Sequence, residues 1–134
     1  MHHLKELAAV SRITPAVNQI ELHPFLQRPD IVAYCEAQGM QLVAYSPLAK
    51  GLRMLDPRLM SIAAKHGATT AKVMLRWALQ RGFCIIPKSS KPARMTENAS
   101  VVGEGALMLG DEEMTLLDSA EEGLVTGWDP VTGP

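Results

Sequence analysis

The chain carries almost no net charge. Thirteen Lys and Arg face fourteen Asp and Glu among 134 residues, leaving −1 at neutral pH, and the isoelectric point is near 6.4. It therefore lacks the basic field that draws proteins to nucleic acid or anionic lipid, so partners must be sought in local sites. Cysteine is scarce: Cys35 and Cys84 lie far apart, each in an apolar stretch, and form no CxxC. That excludes a disulfide framework or a zinc cage and points to a reducing compartment, the cytoplasm, with both thiols filling the core. No apolar run approaches a membrane span, and Met1-His2-His3-Leu4-Lys5-Glu6 has none of the regions of a signal peptide. His2, His3 and His66 lack HExxH spacing, and adjacent histidines on a helix are expected to point apart, so no metal site is expected. Aromatics are only 4% of the chain, yet 47% is hydrophobic and 20% charged, an ordinary globular composition.

The pattern alternates helices and strands. Leu4, Leu7 and Ala8 show helical spacing from the start, with no cap or strand before them, as if the chain began inside an element. Ala16 to Ile20 reads as a short strand closed by His23-Pro24. Pro29 opens a helix with an Ile31, Tyr34, Cys35 stripe, and Gly39 caps it. Gln41 to Tyr45 is an apolar run suited to a strand buried on both faces. After a loop from Ser46 to Asp56, a helix opens at Asp56-Pro57 and ends near Gly67. A stronger one is capped by Thr69 or Thr70 and carries Val73, Met74, Trp77 and Ala78 on one face to Gly82. Phe83 to Ile86 is a third strand. A helix from about Ala93 to Val102 and another opening at Asp111-Glu112-Glu113 follow, then a Gly/Pro tail from Gly123 to Pro134. Trp77 is expected in the core, His23 in a turn, and Glu112-Glu113 and Glu121-Glu122 on solvated or dipole-complementing faces.

Repeated βα units imply a parallel sheet with right-handed crossovers. The expected fold is α/β, a partial TIM-type (β/α)8 barrel comprising the last three βα units with a C-terminal helix and tail. A complete barrel takes about 250 residues, so residues 1–134 are expected to form a single incomplete domain. A doubly wound sheet is the rival, but no GxGxxG follows any strand.

Pro87-Lys88-Ser89-Ser90-Lys91-Pro92-Ala93-Arg94 places three cations and two hydroxyls, with no acid, between a strand end and a helix start. Free N–H groups and the helix dipole attract phosphate there, and Arg94 can bind it in a bidentate manner. The alternative is a solvated basic turn capped by Ser90.

Ile86-Pro87-Lys88-Ser89, then Arg94, then Glu97-Asn98, resembles the NADP-binding segment of the aldo-keto reductases. Pro15 to Pro24 resembles that family's sixth strand, Ala44-Tyr45-Ser46-Pro47-Leu48 its seventh, and Leu75 to Gly82 the helix before its eighth. Gly127-Trp128-Asp129-Pro130 is similar to some of its tails. The resemblance implies NADP(H) as cofactor. Lys88, Ser89 and Arg94 would meet its 2'-phosphate, and Asn98 with Glu97 its adenine. Tyr45 would stack on the nicotinamide, Gln19 would bond its carboxamide, and Ser46 and Leu48 would line the diphosphate stretch. As plain structure, Tyr45 is a barrel-mouth filler and Gln19 a satisfied core amide.

The family reduces aldehydes and ketones with a tyrosine proton donor tuned by lysine, aspartate and histidine, all in the barrel's first half. No residue here matches that set, so no catalytic residue is assigned. The implied function is that of a truncated reductase half, taking a small carbonyl substrate only if the barrel is completed, and able to self-associate through exposed strand edges. A phosphosugar-type barrel fragment and a non-catalytic nucleotide-binding or assembly remnant are the alternatives.

Overall fold

A computed structural model describes residues 1–129. Its elements run α1 (His2–Val10), β1 (Val17–Glu21), α2 (Pro29–Ala37), β2 (Gln41–Tyr45), α3 (Pro57–His66), α4 (Thr70–Gln80), β3 (Cys84–Ile85), α5 (Pro92–Ala99) and α6 (Asp111–Asp118), with a 3-10 turn at Ala49–Gly51. The sheet is parallel in the order β1-β2-β3, which is the expected partial α/β barrel.

Local chemistry accounts for most boundaries. The Asp56 carboxylate caps α3 by accepting from Arg58 N–H at 2.9 Å, Pro57 fills the first helical position, and Gly67 ends the helix with a φ of 58° that a side chain would disfavour. Thr69 Oγ1 caps α4 by accepting from Lys72 N–H at 3.2 Å. α5 starts at Pro92 rather than Ala93 and stops at Ala99 rather than Val102, with the Ser100 hydroxyl turned back onto the Glu97 carbonyl at 2.8 Å.

Register divides the sheet into two faces. Ile20 pairs with Ala44, and Ala44 with Ile85; Ile20, Leu42 and Ala44 are buried against the helical layer. That core contains Trp77, fully buried as expected, with Phe83 edge-on at 6.0 Å. The indole Nε1 donates to Asp118 Oδ1 at 2.8 Å, so the ring buries its area without stranding its donor. The opposite face presents Val17, Gln19, Val43 and Cys84, and Val17, Gln19 and Cys84 on it are exposed.

Two expectations need correction here. Cys35 is a core filler, with Asn18 Nδ2 at 3.3 Å from its sulfur, but Cys84 is exposed because alternation turns it to the open face. His2 and His3 do not point apart: their ring centroids lie 3.8 Å from each other. No cluster of three or more metal-ligating side chains occurs among the described residues, and no helix among them is long and apolar enough to cross a membrane.

Candidate functional site

The loops that leave β2 and β3 at their carboxyl ends turn toward each other, the usual place for a site in this architecture. Between them lies a cleft of about 530 Å³, bounded by the β2 loop (Leu48, Lys50, Gly51, Met54), the start of α4 (Thr69, Thr70, Ala71), the β3 loop (Lys88, Ser89) and α5 (Arg94, Glu97, Asn98). Six of the nine residues singled out by sequence line it: Leu48, Lys88, Ser89, Arg94, Glu97 and Asn98.

Lys88 and Arg94 form no ion pair among the described residues. Ser89, not Ser90, orders the turn: its Oγ accepts from Lys91 N–H at 3.1 Å. Lys91 is the cap residue of α5 and gives no side-chain cap, and Pro92 follows it. The first-turn N–H groups beyond Pro92 have no earlier carbonyl to bond, and the dipole adds to the positive field of Lys88 and Arg94.

Gln19, Tyr45 and Ser46 lie outside this cleft. Gln19 and Tyr45 share the open sheet face, since Glu21 pairs with Tyr45 and Gln19 with Val43. Gln19 is exposed, not a core amide. The Tyr45 hydroxyl donates to the Trp128 carbonyl at 3.5 Å, and burial, then the Glu21 carboxylate, push its phenol above the ordinary value. A phenol so shifted holds its proton and is a poor acid. Ser46 turns the chain from Tyr45 toward Leu48 with a left-handed φ of 46°.

The segment after α6 crosses the sheet mouth. Leu124 N–H bonds the Phe25 carbonyl at 3.0 Å, Thr126 N–H and hydroxyl both donate to the buried Glu21 carboxylate, Lys50 Nζ donates to the Thr126 carbonyl at 2.5 Å, and Arg28 pairs with Asp129 at 2.6 Å. Pro130 of the expected tail motif lies outside the described residues. Sequence reasoning missed this segment's anchors and missed Lys50, Thr69 and Thr70 as cleft residues. A cation in a βα loop at a strand's carboxyl end was the available signal for Lys50. Of the two expectations for Glu113, the dipole-complementing one holds, since it sits in the first turn of α6 and accepts from Gly110 N–H at 2.9 Å; it is buried rather than solvated, and its bonds from Lys65 and His66 were not foreseen.

A three-stranded parallel βα array with a cleft at its carboxyl ends is the arrangement of part of a (β/α)8 barrel. The aldo/keto reductase family profile matches residues 1–122, and the chain belongs to that family. It is 41% identical over 134 residues to an uncharacterized oxidoreductase of Schizosaccharomyces pombe, covering 99% of this chain and 48% of that protein. It is 41% identical over 130 residues to the glyoxal reductase of Bacillus subtilis, covering 97% and 46%. The fold superposes on a Gox0644 variant in complex with NADPH with a TM-score of 0.90 and 35% identity, covering 99% of this chain and 48% of that one. An NADPH-complexed aldo-keto reductase of the silkworm, Bombyx mori, gives 0.84 and 32%, covering 96% and 42%. The chain spans about half the length of these relatives.

Proposed function

We propose that residues 1–134 form one domain portion that holds NADP(H) for a carbonyl oxidoreductase barrel, with the adenosine end of the cofactor in the cleft between β2 and β3. The observation that carries this reading is the convergence of Lys88, Ser89, Arg94, Glu97, Asn98 and Leu48, drawn from three separate elements, on one 530 Å³ cleft. The donor set fits the group: two cations and a hydroxyl for a 2'-phosphate, an amide and a carboxylate for adenine edges. Two structural relatives are NADPH complexes. Tyr45 and Gln19, on the open face, offer the nicotinamide end a flat ring and an amide, and Ser46 and Leu48 join the two regions.

When bound, the cofactor supplies a hydride for a small aldehyde or ketone. The chain's own residues bind and orient; no residue in it is assigned as proton donor. Reduction accordingly needs the remainder of a barrel, which would also cover the open face and pair the outer strands β1 and β3. Without it, those strands offer edges for self-association.

Titration of the chain with NADP+ and NAD+, followed by fluorescence or calorimetry, tests the cleft. NADP+ should bind more tightly, and Arg94→Ala should weaken it about ten- to a hundredfold while leaving NAD+ nearly unchanged. Equal affinity for the two nucleotides in the unaltered chain would overturn the reading.

A further inference from the structure

We infer that Arg76, backed by Gln80, is a positioning residue for base recognition: from behind the cleft it fixes the end of α5, so that the Asn98 amide meets the nucleotide's base and selects adenine. This rests on the reading of the cleft as a nucleotide site. Arg76 does not line that cleft and acts only through α5.

Asn98 has no restraint of its own. It lies in the last turn of α5, lines the cleft and is 9% exposed, yet no protein group among the described residues bonds its side-chain amide. A buried amide left without a partner is costly, and the side on which a partner can reach it is the cleft. Where the amide stands is therefore inherited from the backbone of that last turn.

The chain beyond the turn does not hold itself. No helix or strand forms between Ala99 and Asp111, and the backbone bonds from Val101 to Leu109 are two long ones, Val102 N–H to the Ala99 carbonyl at 3.4 Å and Ala106 N–H to the Gly103 carbonyl at 3.3 Å. The C-terminal half of α4 holds it instead. The Arg76 guanidinium donates through Nη1 to the Val101 carbonyl at 3.4 Å, three residues past Asn98, and through Nη2 to the Met108 sulfur. Its Nε donates to Gln80 Oε1 at 3.1 Å, one helical turn on. Gln80 in turn bonds both backbone groups of Leu109, with Oε1 accepting its N–H at 2.8 Å and Nε2 donating to its carbonyl at 2.9 Å. Val101 and Leu109 are buried, so α4 grips the stretch at both points where it enters the core.

Arg76 is half-buried, and no carboxylate stands within ion-pair distance of it among the described residues. A partly desolvated cation with only neutral partners adds little stability, but a rigid planar fork that reaches three acceptors at once fixes geometry. The other end of the same helix, Thr70 and Ala71, lines the cleft, so one element sets both the cleft wall and the end of α5. The selection follows from the base edges. Adenine offers a donor beside an acceptor, which one amide meets in full, whereas guanine offers two acceptors there.

The test measures the ratio of affinities for adenosine 2'-monophosphate and guanosine 2'-monophosphate, which share sugar and phosphate and differ in base. The unaltered chain should prefer adenine, and Asn98→Ala should lower that preference about three- to tenfold. Arg76→Met and Arg76→Lys should both lower it to a similar value while the guanosine nucleotide binds as before, because lysine keeps the charge without the fork. Arg76→Met combined with Asn98→Ala should lose no more than Asn98→Ala alone. Gln80→Leu should cost part of the preference and speed hydrogen exchange at the Leu109 N–H. Leu59→Ala, which truncates a buried side chain outside the cleft, should lower the melting temperature and keep the ratio, so that general loss of stability is told apart from lost positioning. Should Arg76→Met not fold, Arg76→Lys and Gln80→Leu decide the matter. If the ratio survives in those two, or in Asn98→Ala, or if the unaltered chain does not prefer adenine, this inference fails and the phosphate end of the cleft stands. If Leu59→Ala lowers the ratio as far as Arg76→Lys does, the inference fails as well. If neither nucleotide binds the unaltered chain, both readings fall.

Discussion

His23 Nε2 stands 3.4 Å from Glu21 Oε1, with the two side chains 0% and 2% exposed. Neither ring nitrogen has a hydrogen-bond partner among the described residues, because the Glu21 oxygens face Thr126. Burial holds the imidazole below its ordinary 6.5, and the attraction of Glu21 only partly offsets this. The unfolded chain takes up a proton near that value while the folded chain does not, so stability falls as pH drops below about 6.5. Melting temperatures measured from pH 7.5 to 5.5 should decline, and His23→Gln should flatten the decline. An identical slope in the variant would remove His23 as the cause.

Glu113 titrates in a lower window. The Lys65 ammonium at 2.7 Å, the Gly110 N–H and His66 hold its carboxyl at about 2, against an ordinary 4.5. A depressed carboxyl contributes stability that is complete above 4.5 and lost as pH falls toward 2. With Lys65 largely in solvent, the contribution is on the order of 1 to 2 kcal/mol. Glu113→Gln should lower the melting temperature at pH 7 and erase most of its difference from the unaltered chain at pH 2.5. Equal melting temperatures at pH 7 would contradict the assignment.

The two thiols should react at very different rates. Cys84 is exposed on the open face and Cys35 is buried, so a chromogenic disulfide reagent should label one equivalent rapidly and the second only on unfolding. Cys84→Ser should abolish the fast phase. A chain whose open face is covered by a second copy or by other barrel strands should lose the fast phase as well, which makes the same reagent a probe of self-association by concentration dependence.

Turnover is the sharpest test of the proposed division of labour. The chain alone should show no carbonyl-dependent NADPH oxidation above a protein-free control, since no residue is assigned to protonate a developing alkoxide and that assistance is often worth about 10² to 10⁴ in rate. Steady consumption abolished by Tyr45→Phe would show that this half-buried phenol, raised above its ordinary value, is an acid after all.

Helix α4 was legible from its residues because its determinants are local: Thr69 bonds a neighbour three residues on, and Val73, Met74, Trp77 and Ala78 recur at helical spacing. The basic turn after β3 was legible for the same reason, as Lys88, Ser89 and Arg94 fall within seven consecutive positions. The third strand was overdrawn. Phe83 to Ile86 has strand composition, but only Cys84 and Ile85 pair, and only with Val43 and Ala44.

By itself, then, the sequence determined which helices and strands form, their parallel order, and which residue types gather after β3, since caps, periodicity and turn chemistry act over a few residues, but it set their ends only to within a few residues. Tertiary structure alone decided that Leu48 and Lys50 share a cleft with Arg94, that Cys84 faces solvent, and that Glu113 meets Lys65 and His66 while Glu21 meets Thr126. Those partners are 47 to 105 positions apart, a separation bridged only when burying the apolar face of the sheet brings distant loops together at one end of it.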